Sequence, residues 1–257
     1  MKNLKLLLSL VYITITTAGC HCPPVEYTFC NTFIVQYTYF QNIRLESTSA
    51  ADRKGILVKP HINLSLEKRT YFYTCWGGGE SYEGYKDLCQ KHGDTFYRPH
   101  KIPTAMGDPT NAYLYCDFIE VLITSDSDYD SSHPAGQSLN DVIHFVAFSP
   151  NKFIRSGYKD KFDYRTATEL SDYLWSIGHQ LNYYGNWMKY PQPYHPIDKP
   201  ASEITSEDLI LLGHKYFDYL FWIIFEKEPD SPGTHNIKVT LHADNGKVYE
   251  NTVEVNF

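Results

Sequence analysis

Several things are scarce in this chain of 257 residues. It has no run of about 20 apolar residues, the length that a helix needs to cross a bilayer. It has no cluster of Lys and Arg, so the backbone-tracking groove of a nucleic-acid binder is missing. Cysteine is sparse at six residues, and none of them forms a Cys-x-x-Cys pair, which leaves knuckle-type zinc sites without ligands. The eleven histidines are scattered, with no His-x-x-x-His pair on a helical pattern, and zinc-hydrolase chemistry is unsupported for that reason. Amphipathic helical spacing is rare too. Residues 166–177 carry the one good example, with Ala167, Leu170, Leu174 and Ile177 in phase.

What is present begins at the N-terminus. Lys2 and Lys5 precede the apolar run Leu6 to Ile13, and small residues Thr17, Ala18 and Gly19 lead to Cys20. A basic start, a short apolar core and a small-residue exit are the parts of a secretory signal peptide. Thr17-Ala18-Gly19-Cys20 also resembles the lipobox of bacterial lipoproteins. That resemblance implies a signal peptide over 1–19, a diacylglycerol on the Cys20 thiol, and Cys20 as the first mature residue. Residues 20–31, short and Pro-bearing, then read as a tether. Removing 1–19 deletes two lysines and leaves 21 basic against 30 acidic residues, a balance of −9. An acidic body gains nothing from anionic lipid, so the acyl chains are the expected attachment. No acidic run follows Cys20, which favours a periplasm-facing anchor, expected in the outer membrane, over surface display.

With Cys20 acylated, Cys22, Cys30, Cys75, Cys89 and Cys116 remain in a compartment where disulfides persist. Cys22/Cys30 and Cys75/Cys89 are the locally closable pairs, and Cys116 is the expected spare. Its setting, Tyr113 to Ile119, reads as a strand interior, where a thiol is buried and inert.

The body, residues 32–257, reads as one mainly β domain of β-sandwich type with an insert around 150–215. Strand patterns occupy 32–46, 56–66, 69–76, 111–124 and 141–149. Residues 80–109 are loop-like, with a turn or two of helix at 85–92, and 47–55 is a polar connection. Three strands at 216–227, 234–243 and 247–257 are expected to close the chain as a meander, with Asn245-Gly246 supplying positive φ angles at the last turn. Residues 206–212 fit a short helix capped by Ser206 or a strand. Asp244, Gly246 and Tyr249 resemble the closing hairpin of immunoglobulin-like domains, which implies a sandwich of that type.

The run Ile123 to Asp141, with Asp126, Asp128, Asp130, His133-Pro134-Ala135-Gly136 and Ser138-Leu139-Asn140-Asp141, resembles a family of Bacteroidetes-type envelope lipoproteins of no assigned activity. The resemblance implies an envelope lipoprotein with a sandwich-like body and names no catalytic residue. Asp126-x-Asp128-x-Asp130 are the candidate metal ligands, for Ca²⁺. The run departs from a helix–loop–helix calcium loop at Ser131, where Gly belongs, and at Gln137, where a bidentate Glu belongs. The competing reading is an Asp/Ser turn that caps its own backbone.

Catalytic patterns are incomplete. Gly77-Gly78-Gly79 and Gly79-x-Ser81 begin an oxyanion loop and a nucleophile elbow, but Glu83 stands where the elbow needs Gly. Glycosidase chemistry needs two carboxyl groups roughly 5–9.5 Å apart, and no pair is singled out by spacing. Tyr183, Tyr184, Trp187, Tyr190 and Tyr194, in a Pro-rich stretch, are the candidate ligand-binding residues, because flat rings stack on sugars or anchor a protein partner. The expectation is therefore a lipid-anchored envelope protein that binds a glycan or protein partner without catalysis. The alternative is an envelope hydrolase acting on glycan or peptide.

Overall fold

The computed structural model describes residues 28–29, 32–34, 36–62, 71–73, 80–95, 100–101, 112–168, 170–181, 191–213 and 219–257. In chain order the elements are β1 (Thr28–Phe29), β2 (Gln36–Thr38), β3 (Asn42–Ala50), β4 (Arg53–His61), β5 (Tyr71–Tyr73), α1 (Glu80–His92), β6 (His100–Lys101), β7 (Ala112–Leu114), β8 (Phe118–Ser125), β9 (Ile143–Ser149), α2 (Asn151–Arg155), α3 (Asp172–Leu181), β10 (His195–Pro200), β11 (Phe221–Phe225), β12 (Thr234–Ala243) and β13 (Val248–Asn256). Among the described residues strand outweighs helix, 43% to 16%, so the mainly β expectation holds.

A five-stranded antiparallel sheet in the order β10-β9-β11-β4-β3 lies at the centre. Two of its three interior strands, Ile143–Ser149 and Phe221–Phe225, are buried at every residue. Alternation is lost there because both faces are covered, the condition that turns a strand into a continuous apolar run. Ile143, Phe145, Ala147, Phe221, Ile223 and Phe225 point to one side. They share a core with Val121, Ile123, Ile237, Val239, Leu241 and Val255 of the three-stranded sheet β13-β12-β8. Val146, Phe148, Trp222 and Ile224 point to the other side. They meet Leu174 and Ile177 of α3, Phe153 and Ile154 of α2, Tyr85 and Cys89 of α1, and Tyr37 and Tyr113 of a small sheet ordered β5-β2-β7. Two layers therefore flank one central sheet, three layers in all.

The expected closing meander is not formed. β11 leaves β12 for the central sheet, and β12 instead sits between β13 and β8. The reason lies in the patterns: Phe221–Phe225 is apolar on both faces and needs two covering layers, while β12 alternates and leaves one face to water. The β12–β13 hairpin stands, but among the described residues of its turn only Gly246 takes positive φ, at 80°. Gly246 N–H donates to Ala243 O at 3.0 Å, so one left-handed glycine does the work expected of two residues.

Other elements shift. The polar connection at 47–55 is a tight hairpin, Ala50 opposite Arg53, with Ala51 and Asp52 both at positive φ (48° and 62°). Residues 111–124 split between two sheets, with Cys116 and Asp117 buried at the break. The helix expected over 166–177 runs Asp172–Leu181, and Ser171 Oγ accepts Leu174 N–H at 3.2 Å as its cap. Glu80–His92 is helical throughout, taking in Ser81 and Glu83. Cys89, expected to bridge Cys75, is a buried thiol, as is Cys116; Cys22, Cys30 and Cys75 lie outside the described residues. No helix among the described residues is long and apolar enough to cross a membrane.

Candidate functional site

Strand β9 stops at Ser149, Pro150 precedes the helix, and α2 begins at Asn151. Ser149 Oγ accepts Asn151 N–H at 3.1 Å and donates to Ile210 O at 2.7 Å, pinning the strand end to the turn at 205–210. That turn is held by Asp208, whose Oδ2 accepts Thr205 N–H (2.8 Å) and Thr205 Oγ–H (2.7 Å). Leu211, just past it, is a buried non-glycine residue at positive φ (52°). Its N–H donates to Asp117 Oδ1 at 3.0 Å, which holds the left-handed backbone in place.

Between α2 and this turn run two adjoining clefts of about 280 and 260 Å³. Asn151, Lys152, His195, Lys199 and Asp208 line the first. Lys91, Asp117, Ile119, Arg155 and Asp244 line the second. Glu207 lines both. The walls are made of ion pairs. Lys91 Nζ reaches Asp117 Oδ2 (2.6 Å) and Asp244 Oδ2 (2.5 Å). Arg155 Nη1 reaches Glu207 Oε1 at 2.8 Å, and Asn151 Nδ2 donates to the same oxygen at 3.1 Å. Lys199 Nζ reaches Asp208 Oδ2 at 2.7 Å.

Burial alone would push the Asp117 carboxyl up, but His92, Lys91 and the Leu211 N–H together hold it down at about 2. Burial likewise opposes, and Lys199 with Thr205 outweighs it, in lowering Asp208. Asn151 is 5% exposed, and its amide oxygen has no hydrogen-bond partner among the described residues. Such an acceptor costs free energy until a donor reaches it.

Two histidine constellations resemble hydrolytic relays in composition and differ from them in order. Tyr37 Oη lies 2.9 Å from His92 Nδ1, and His92 Nε2 lies 2.9 Å from Asp117 Oδ2. The hydroxyl is a fully buried phenol, and burial raises its proton affinity further. In the other set Ser171 Oγ donates to Asp198 Oδ1 at 2.6 Å, while His144 Nε2 meets the same carboxylate at 2.7 Å. The serine faces the acid instead of the base, an order that leaves its proton with no acceptor imidazole. Burial pushes the Cys116 thiol up to about 12, so it is not a thiolate at neutral pH.

The Asp-rich run is spent on structure among the described contacts. Asp126 takes Asn236 N–H (3.0 Å) and Asn236 Nδ2 (2.7 Å). Asp128 takes Ala135 N–H at 2.8 Å. Asp130 takes Ser132 N–H (2.8 Å), His133 Nδ1 (2.7 Å) and Lys227 Nζ (2.7 Å). The three carboxylates share no partner, and among the described residues no group of three His, Cys, Asp or Glu is placed to hold a metal ion. Residues 136–140 then fold along the free edge of β8. Gly136 N–H donates to Ser125 O, Leu139 N–H donates to Ile123 O (both 2.8 Å), and Asn140 Nδ2 donates to Val121 O at 2.9 Å. An edge strand is blunted in this way.

Tyr194 is 1% exposed and packs in the second core. Tyr183, Tyr184, Trp187, Tyr190 and Cys20 lie outside the described residues. Sequence reading missed Asn151, Arg155, Lys199, Glu207 and Asp208 as a group, since the groove gathers six separated segments of chain. The signals were the strand end Ser149-Pro150-Asn151 and Ser206, each readable only as local punctuation. No protein-family model matches the chain, and neither a curated protein nor a solved structure matches it.

Proposed function

We propose that this is a lipid-anchored envelope protein, held at a bilayer through Cys20, whose β-rich body binds a glycan or protein partner without transforming it. The body is read as a β-sandwich: the five- and three-stranded sheets share one core, and the β12–β13 hairpin supports the immunoglobulin-like part of that reading. The basic, apolar and small-residue order of residues 1–20 supports the anchor.

One observation carries binding over hydrolysis. Three acid–base pairs of the described body, His92 with Asp117, His133 with Asp130, and His144 with Asp198, are each closed by protein partners, while the groove along α2 stays open. A general base must reach the proton that it abstracts.

Metabolic labelling with a clickable fatty acid tests the anchor: wild type takes the label and sediments with membranes, and Cys20→Ala does neither. An unlabelled wild type ends the lipoprotein reading. A glycan array and an envelope pull-down with wild type and Trp187→Ala test the binding. Partner capture supports it, retention by the variant removes Trp187 from the interface, and hydrolysis of an arrayed glycan overturns it.

A further inference from the structure

We infer that the groove along α2 is a two-subsite cleft for a neutral oligosaccharide, with Glu207 at the junction between the two sugar rings. The inference rests on the binding reading above and narrows it to a place and a ligand class.

Size comes first. Each cleft, about 280 and 260 Å³, falls just below the roughly 300 Å³ at which drug-sized sites begin. One small ring per cleft fits that room, and a ligand of two joined rings uses the wall they share.

Charge then chooses the class. Lys91 is paired with Asp117 and Asp244, Arg155 with Glu207, Lys199 with Asp208, and Asp198 with His144. Apart from Lys152 in the first cleft, which has no ion-pair partner among the described residues, a ligand of one sign must separate at least one of these pairs and leave a charge uncompensated. A hydroxyl both donates and accepts, so it joins a cation and its carboxylate without parting them. The five carboxylates and four ammonium or guanidinium groups of the walls nearly cancel, which leaves little field to attract an ion.

Two further features suit a sugar. Ile119, in the wall of the second cleft, is 52% exposed and offers apolar surface to the C–H face of a ring. The Asn151 amide and the Arg155 guanidinium both bind Glu207 Oε1, so Glu207 Oε2 can turn to the ligand while the side chain stays anchored.

The test is titration calorimetry with saturation-transfer NMR on the full-length protein in detergent. The probes are cellobiose, laminaribiose, maltose and chitobiose, their monosaccharides, and digalacturonate as the charged control. At least one neutral disaccharide is expected to bind more tightly than its monosaccharide. Its affinity changes little between about 50 and about 500 mM salt, and Glu207→Ala and Arg155→Ala each weaken it roughly tenfold. Both side chains are about half exposed or more, so the variants keep the fold, and circular dichroism checks that they do.

Binding of a neutral disaccharide that ignores both variants overturns the site and leaves the binding function standing. Salt-sensitive binding of digalacturonate that is lost in the variants overturns the ligand class. No saccharide binding, alongside capture of an envelope protein in the pull-down, overturns the inference alone. No binding of either kind overturns the function with it.

Discussion

Asp117 ties three distant parts of the chain to one carboxylate and one carbonyl. Its side chain accepts from Lys91 and His92 at the end of α1 and from the Leu211 N–H, and its carbonyl accepts from the Asp244 N–H at 3.0 Å. The group is 5% exposed, so these bonds are made where water does not compete. Its folded-state pKa of about 2 lies below the roughly 3.9 of an unfolded aspartate. A lowered carboxyl stabilises the fold above the unfolded value, and that stability is lost as pH falls through the folded one. The difference is worth about 2–3 kcal/mol. Asp117→Asn is therefore expected to lose about 2–4 kcal/mol near neutral pH, since it also takes one of its two carboxylates from Lys91 and weakens the acceptor of the Leu211 N–H. Urea titrations of wild type and variant should converge as pH drops from about 4 towards about 2. Curves that stay a constant distance apart across that window would show that the charge of Asp117 is not what stabilises.

Among the elements, the two hairpins make an instructive pair. Asn245-Gly246 was legible because that dipeptide marks a turn by its chemistry, and the alternation of Ile237, Val239 and Leu241 fixed the strand before it. Ala51-Asp52 carries no such mark. Both residues adopt positive φ because nine paired positions of β3 and β4 demand a tight turn, and because Ala51 N–H is received by Ser176 Oγ at 3.0 Å. Tertiary contacts override local preference there, which no local reading detects. Gly55 hides a similar constraint: a Cβ there would stand 2.6 Å from the Ile223 carbonyl across the sheet. The break after Leu114 was illegible for the same kind of reason, since Asp117 is polar in an apolar run and its partners lie far along the chain. Asp52, at φ 62° with an exposed side chain, gives the test. Asp52→Gly relieves the left-handed strain against a smaller cost from the greater unfolded-state entropy of glycine, a net gain of about 0.5–1 kcal/mol. Differential scanning fluorimetry should show Tm rising by about 1–4 °C. A fall in Tm would mean that the Asp52 carboxylate makes a contact worth more than the strain.

For the whole molecule, the central sheet makes both cores depend on one set of strands. Phe145 and Trp222 pair through neighbouring strands, Phe145 opposite Ile223 and Trp222 opposite Val146, yet they face opposite layers. Truncating either removes packing from one core and loosens a strand that the other core also needs. Phe145→Ala and Trp222→Ala are each expected to cost about 3–5 kcal/mol. In both variants, denaturation followed by far-UV circular dichroism and by near-UV aromatic signal should remain a single coincident transition. The groove depends on the same layers, since its walls come from α1 and α2 on one face of the sheet and from β8 and the β12–β13 turn on the other side. It exists only while all three layers are assembled, so saccharide binding should vanish over the same denaturant range as the aromatic signal. Two separated transitions in Trp222→Ala, with β-sheet signal and binding outlasting the aromatic loss, would show instead that the helical layer folds by itself and that the groove does not need it.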